Sequence, residues 1–210
     1  MKRFTSLFLL LPFVAGLSAC QAAKPLSSLE AIQKQLVEMD GYSCTATLTR
    51  TSNKGENVYE TAQSYSSTGE YRLELTAPEN VAGNCTIYDG NRICQFNPRL
   101  DSASKIIKDA DESQHRNELF LGQFIKNYIQ SKGVSVEAAT LNDSQCVVLE
   151  ALIPGIDDAL SSEKLWVDST TLLPVRLCIY DKNGDERYRI DYHDFVFNPT
   201  FDETTFRIPE

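Results

Sequence analysis

The spacing of apolar residues divides the chain into an apolar leader, an amphipathic helix, a long run of alternating segments and a second helix set among them. Residues Leu26 to Met39 carry Leu29, Ile32, Leu36, Val37 and Met39 on or near one helical stripe. Ser27 and Glu30 have the spacing of a capping box, and Asp40 with Gly41 ends the segment. From Tyr42 the period falls to two, because Tyr42, Cys44, Ala46 and Leu48 alternate with Ser43, Thr45, Thr47 and Thr49, which predicts a strand with one wet face. Strands are predicted again at Asn57 to Ser66 and Glu70 to Thr76, where Tyr71, Leu73 and Leu75 point one way and Arg72 and Glu74 the other, with Gly55 and Gly69 as turn residues. A hairpin follows at Cys85 to Phe96. Pro98 then opens a polar stretch that leads into a helix from Asn117 to Ser131, whose Leu119, Phe120, Phe124, Tyr128 and Ile129 form a core-facing stripe. Val134 to Leu141, Gln145 to Ala151, Glu163 to Asp168, Pro174 to Tyr180 and Glu186 to Phe197 complete the predicted strands. Long antiparallel strands with few helices predict a mostly β, α+β fold, a strongly curved sheet or open barrel covered by helices. No repeat or long linker divides it, so residues 26–210 are expected to form one domain.

The leader reads as an export signal. Lys2 and Arg3 precede an apolar run from Phe4 to Val14 that contains Pro12 and gives way to Ala15, Gly16, Ser18 and Ala19. A membrane-spanning helix wants roughly 20 apolar residues, and this run is shorter. Leu17, Ser18, Ala19 and Cys20 resemble a bacterial lipobox, which implies cleavage after residue 19 and a lipidated Cys20 at the new N-terminus. Residues 20–25 would then be a tether reaching less than about 20 Å, which keeps the folded body close to the bilayer. Two or more acyl chains anchor stably, since each buried methylene contributes about 0.8 kcal/mol.

Composition narrows the function. With 42% hydrophobic residues the chain can build a core, and its 20 Lys and Arg against 29 Asp and Glu give a net charge of −9. Removing Lys2 and Arg3 with the leader takes this to −11. Such a field disfavours a nucleic-acid groove, which must collect phosphates. The chain lacks a nucleophile elbow, a phosphate-cradling loop, a dinucleotide fingerprint and the paired-histidine zinc motif. Of its two histidines, His115 lies in a charged loop and His193 stands between Asp191 and Asp194 on a strand face, where solvation is the expected state. Asp181, Asn183, Asp185 and Glu186 imitate the opening of a calcium loop, but Asn183 and Gly184 read first as a hairpin turn. Asp101, Asp109, Asp111 and Glu112 read as an acidic loop. No catalytic residue, metal ligand or cofactor is predicted.

Cys20 apart, five cysteines remain, an odd number in an exported chain. A two-residue turn at Asp89 and Gly90 would set Cys85 opposite Cys94 at a non-hydrogen-bonded position, where α-carbons approach to about 4.5 Å, at the short end of the disulfide range. That register predicts a disulfide between Cys85 and Cys94, whereas a turn shifted to Gly90 and Asn91 would break the opposition. Cys44, Cys146 and Cys178 lie on different strands and are expected to be small buried side chains.

The order of these elements resembles the bacterial lipoprotein carriers of the LolA and LolB type. The likeness is carried by the N-terminal helix, the long strands, the hairpin around Asp89 and Gly90 ending in Asn97 and Pro98, Leu165 to Asp168 with Leu173 and Pro174, the Asp181 to Gly184 turn, and the closing Tyr192, Asp194, Phe195, Phe197, Asn198, Pro199 and Phe206 to Pro209. It implies an unclosed antiparallel half-barrel with helices over an apolar concave face. In those carriers a functional Arg precedes the third strand, where this chain has Ser66, Ser67 and Thr68, and the strand itself offers Leu73 and Leu75 around Glu74. In length, lipobox, the Tyr42 to Arg50 strand, Phe120 to Gly122 and Ile153 to Gly155, the chain is more similar to the GerS-type germination lipoproteins of spore-forming clostridia. That resemblance implies a membrane-anchored, non-enzymatic protein on the extracytoplasmic face that enables an exported partner, an N-acetylmuramoyl-L-alanine amidase of the spore cortex. A homodimer is compatible with it. The alternative is a lipid or lipoprotein receptor of the LolB type, which requires a continuous apolar cavity of several hundred Å³.

Overall fold

The computed structural model describes residues 27–97, 99–100, 105–110, 117–131, 135–155 and 159–209. Eleven strands and two helices follow in the order α1 (Ser28–Val37), β1 (Gly41–Ser52), β2 (Gly55–Ser66), β3 (Tyr71–Ala77), β4 (Cys85–Tyr88), β5 (Arg92–Phe96), β6 (Ile106–Asp109), α2 (Leu121–Gln130), β7 (Val136–Leu141), β8 (Ser144–Leu152), β9 (Ser162–Asp168), β10 (Pro174–Tyr180) and β11 (Glu186–Phe197). The strands form one antiparallel sheet in the order β6-β5-β4-β3-β2-β1-β11-β10-β9-β8-β7, so β6 and β7 are its two edges and the half-barrel is unclosed. Two meanders make up this sheet, and the long pair β1 and β11 joins them.

The alternation in the sequence sets the two faces. Tyr42, Ala46, Leu48, Leu73, Leu149, Leu165, Leu177 and Ile190 bury their side chains on one face, beneath Ile32 and Leu36 of α1 and Phe120, Leu121 and Phe124 at the start of α2. Here the hydrophobic term is largest, since side chains of this size stabilise by roughly 1.5–3 kcal/mol each when fully buried. The opposite face carries ion pairs: Arg176 and Arg189 with Asp191, Lys164 with Glu150, and Arg72 with Glu74. It also carries a small second cluster of Cys85, Ile87 and Cys94 under Ile208 of the C-terminal segment. That segment starts at Asn198, whose side-chain oxygen accepts the Asp40 and Gly41 amides at 2.8 and 3.3 Å.

Three expectations change. Strand β6 falls in the stretch expected to be polar loop: it is four residues long with no alternation, and pairing with β5, Cys94 opposite Ile107, creates it. Asp109 is thereby a strand residue, whereas Asp101, Asp111, Glu112 and His115 lie outside the described residues. Val37 and Ile129, assigned to the apolar stripes of the helices, are 65% and 62% exposed. Each helix ends within one residue of them and the stripe has turned off the sheet there.

The third change concerns Cys85 and Cys94. Strands β4 and β5 pair Cys85 with Phe96 and Ile87 with Cys94, so the two cysteines are diagonal neighbours and both are free thiols. The turn centres on Gly90 and Asn91, with Gly90 at φ +94°, the position where a type II′ turn takes glycine. The Asp89 side chain selects it by accepting the Asn91 and Arg92 amides at 3.0 and 2.7 Å while holding the Arg92 guanidinium at 3.0 Å. Diagonal partners stand about 7–8 Å apart, outside disulfide reach.

Candidate functional site: the lidded concave face

The face that would carry a ligand in an open half-barrel is closed by α2, and the two ends of that helix are held by different chemistry. At its N-terminal end Phe120 serves as N-cap without a side-chain cap. The orphan Leu121 amide donates instead to the Tyr42 hydroxyl at 3.2 Å, and that hydroxyl donates to Gln63 Oε1 at 3.0 Å. Around this point rings pack in series, Tyr42 with Tyr65 at 5.8 Å, Tyr65 with Phe120 at 6.0 Å, Phe120 with Tyr71 at 4.7 Å and Tyr71 with Tyr88 at 5.5 Å between centroids. Gly122 permits the approach, because a β-carbon there would sit 2.0 Å from the Tyr65 ring. Burial pushes the Tyr42 hydroxyl well above its ordinary range and raises Tyr65 to about 12 and the Cys44 thiol to about 12.

Beside these rings a polar chain begins at Gln123 and runs along the helix. Gln123 Nε2 donates to Asn127 Oδ1 at 3.1 Å, and Asn127 Nδ2 donates to Glu163 Oε1 at 2.7 Å. Glu163 belongs to β9 and is fully buried, opposite Ile179 and Ala151 on the core face. A carboxylate there is expensive unless satisfied, and the amide clamp fixes how far along the sheet α2 sits. Gln33 of α1 donates to the Tyr128 hydroxyl at 2.9 Å and ties the helices together.

Little room is left beneath the lid. The hollow lined by Tyr65, Tyr71, Phe120 and Gln123 measures about 100 Å³, below the roughly 300–1,000 Å³ of ligand pockets. A larger hollow of about 690 Å³ lies at the outer face under the C-terminal segment, among Asp89, Arg92, Lys105, Ile107, Glu203 and Ile208, and its walls carry charges of both signs.

The residues singled out in the sequence are dispersed. Cys20 lies outside the described residues. Cys44, Cys146 and Cys178 are buried free thiols on separate strands. His193 is exposed and touches Thr47 at 3.2 Å, while Asp191 is engaged by Arg176 at 2.6 Å and Asp194 accepts from Thr45 at 3.0 Å, so the three do not converge. Asp181 closes the β10–β11 turn, accepting the Asn183 and Asp185 amides and the Arg187 guanidinium, and these contacts hold its carboxyl below the usual range. Ser66 and Thr68 sit in the β2–β3 turn and bond to one another and on to Glu70. No cluster of three or more metal-ligating side chains occurs among the described residues, nor is any described helix long and apolar enough to cross a membrane. Glu163 was missed, although the alternation Glu163, Leu165, Val167 places it on the core face.

An unclosed sheet whose concave face is covered by its own two helices defines an antiparallel half-barrel scaffold. The chain belongs to the YdcC-like sporulation protein family, whose model matches residues 1–206. No curated protein sequence matches it significantly. Among solved structures it is similar to an uncharacterized conserved protein from Thermus thermophilus, with 12% identity, 88% of this chain and 96% of that one covered, and a TM-score of 0.54. It is also similar to the GerS lipoprotein in the structure of the CwlD amidase from Clostridioides difficile in complex with GerS, with 29% identity, 84% of this chain and 100% of that one covered, and a TM-score of 0.50. A LolA superfamily protein from Nitrosomonas europaea aligns with 14% identity over 86% of this chain and 98% of its own, at a TM-score of 0.42.

Proposed function

We propose that this chain is a membrane-anchored, non-enzymatic binding protein that engages and enables an exported N-acetylmuramoyl-L-alanine amidase acting on the spore cortex. The observation that carries the reading is the 29% identity over the whole of GerS, a lipoprotein solved with an amidase bound, in a member of a sporulation family. The small volume beneath the start of α2, about 100 Å³, supports binding through outer surfaces over uptake of an acyl chain there. The net charge of −9 favours steering of a basic partner, which raises association rate more than final affinity.

The test is to express the tagged full chain with the amidases of its own host, solubilise the membranes in detergent and purify. A stoichiometric amidase complex is expected. Stoichiometric binding of a fluorescent fatty acid without any amidase complex would overturn the reading in favour of a lipid receptor. The anchor is assigned to Cys20, on the small residues that precede it, and Cys20→Ala should move the protein from the membrane to the soluble fraction. Full membrane retention of that variant would refute the anchor.

A further inference from the structure

The concave face does not end with the lid. The Tyr71 end of β3 lies against Phe120, at 4.7 Å between ring centroids, but Leu73 and Leu75 carry the same face onward. Register adds their neighbours, because residues paired across antiparallel strands share a face. Leu73 stands opposite Thr86, and Thr86 opposite Gln95. Asn84, whose carbonyl accepts the Leu75 amide at 2.8 Å, and Asn97 extend the same alternation by two residues. These six residues help to line a hollow of about 320 Å³ over β3, β4 and β5, within the roughly 300–1,000 Å³ of small-ligand sites.

The walls of this hollow carry hydrogen-bonding groups that the protein does not itself use. Among the described residues, the side chains of Asn84, Thr86 and Gln95 have no hydrogen-bond partner, and Asn84 Oδ1 is buried in that state. The Asn84 carboxamide turns broadly about its last bond, so it can present its oxygen or its amino group. Asn97 Oδ1 accepts the Arg99 amide at 2.9 Å, and its amino group is left over. Folded proteins pair such groups internally or give them to water or a ligand. The apolar part of the lining is Leu73, which is buried, and Leu75, which is half-buried. No charged side chain among the described residues lines the hollow.

Each feature excludes a class of ligand. A bare acyl chain would strip water from two carboxamides, an amino group and a hydroxyl and return no hydrogen bond. An anion would find no cation in the walls, in a chain of net charge −9. A peptide cannot add as a strand, since β3, β4 and β5 each have a neighbour on both sides. What fits is a neutral molecule that both donates and accepts hydrogen bonds and has an apolar face. We propose that the hollow binds an uncharged N-acetylated hexosamine unit of a glycan strand. Its acetamide N–H and C=O complement the carboxamides, its hydroxyls complement Thr86 and Asn97, and its methyl and ring C–H groups suit Leu73 and Leu75. The proposal rests on the function proposed above, which sets this protein beside an enzyme of N-acetylated cell-wall glycan, and it gives the protein a hold on that polymer.

The test is saturation-transfer NMR and calorimetry on the full, detergent-solubilised chain, with the β-1,4 trimer of N-acetylglucosamine, the β-1,4 trimer of glucose and a fluorescent fatty acid as probes. Saturable binding of the first is expected, with the strongest transfer to its acetamide methyl groups. The glucose trimer should bind at least about tenfold more weakly, because it leaves carboxamides unpaired. Thr86→Val and Gln95→Leu should each weaken the N-acetylglucosamine trimer about three- to tenfold at unchanged melting temperature, since each removes a group that bonds nothing in the protein. Full binding by both variants overturns the site, and equal binding of the two trimers overturns the ligand. Fatty acid bound in competition with the trimer gives the hollow to an acyl chain and also refutes the ligand named here. Trimer binding by a chain that forms no amidase complex upholds the site and removes the functional reading alone; an amidase complex without trimer binding removes the site alone.

Discussion

The two ends of α2 close the same half-barrel by opposite means. The N-terminal end is held by rings, a glycine contact and a borrowed tyrosine hydroxyl; from Gln123 to Asn127 a side-chain amide pair runs to a buried carboxyl group, beside the stacked Phe124 and Tyr128. The apolar end supplies most of the attraction, because dispersion and burial add over many atoms without directional demands. The polar end contributes less net energy, since each hydrogen bond replaces one to water, yet it admits a single placement of the helix. A lid built this way is tight at one end and exact in position at the other, and both properties oppose entry of a flexible acyl chain.

Alkali should destabilise the core beneath the lid most strongly. Burial pushes Cys44 and Tyr65 up to about 12 from ordinary values of 9.0 and 10.0, and holds Tyr42 well above its ordinary range. The unfolded chain therefore loses these protons first. Stability is fully present below about pH 9 and falls as the pH climbs toward 12, and Cys85, Cys178, Tyr180 and Tyr192, raised likewise by burial, add to the loss. Equilibrium unfolding followed by circular dichroism should show one cooperative loss in that interval, and stability unchanged up to pH 12 would contradict it.

Gly122→Val attacks the apolar end at neutral pH. The added carbon meets the Tyr65 ring, so a cost of about 3 kcal/mol, the upper range for overpacking, is expected. A double variant with Tyr65→Leu should cost less than the two single changes added together, read from denaturant midpoints. A fully additive pair would mean that the ring and the helix are not in the contact described.

Asn127→Leu attacks the polar end and should cost about 2 kcal/mol, since it takes a hydrogen-bond donor away from a buried carboxyl group. Its second signature is local. Amide hydrogen exchange should accelerate along the later turns of α2 while the Phe120 end stays protected. Uniform acceleration would show that the two ends do not act separately.

Much of this arrangement could be read before any coordinates. The alternation at Tyr42, Cys44, Ala46 and Leu48 and at Tyr71, Leu73 and Leu75 placed the core face correctly, because a period of two leaves only one way to bury those side chains. The same logic applied to Glu163, Leu165 and Val167 points to the buried carboxylate, but a charged residue at a strand start reads as solvent-facing by composition. The register of the β4–β5 hairpin turned on one side chain, Asp89, which bonds the amides of Asn91 and Arg92 and so shifts the turn by a residue. Strand β6 had no local signal, since four residues without alternation become a strand only once β5 is beside them. The exposure of Ile129 follows from where α2 stops, and helix ends are set by tertiary contacts as much as by pattern.

The seam between β1 and β11 governs when this protein can exist. Each meander is a succession of neighbouring hairpins that can zip up from nearby residues, but the central pair joins Tyr42 to Phe197, nearly the whole length of the domain. Non-local pairing of this kind is slow, because the loop must be closed before any contact rewards it. A chain whose last strand is not yet in place has no middle to its sheet, and the lid has only half a floor. Pulse-labelled exchange should accordingly find the β1–β2 and β9–β10 amides protected before those of β1 and β11. The architecture thus keeps the chain pliable until its last strand has joined the first.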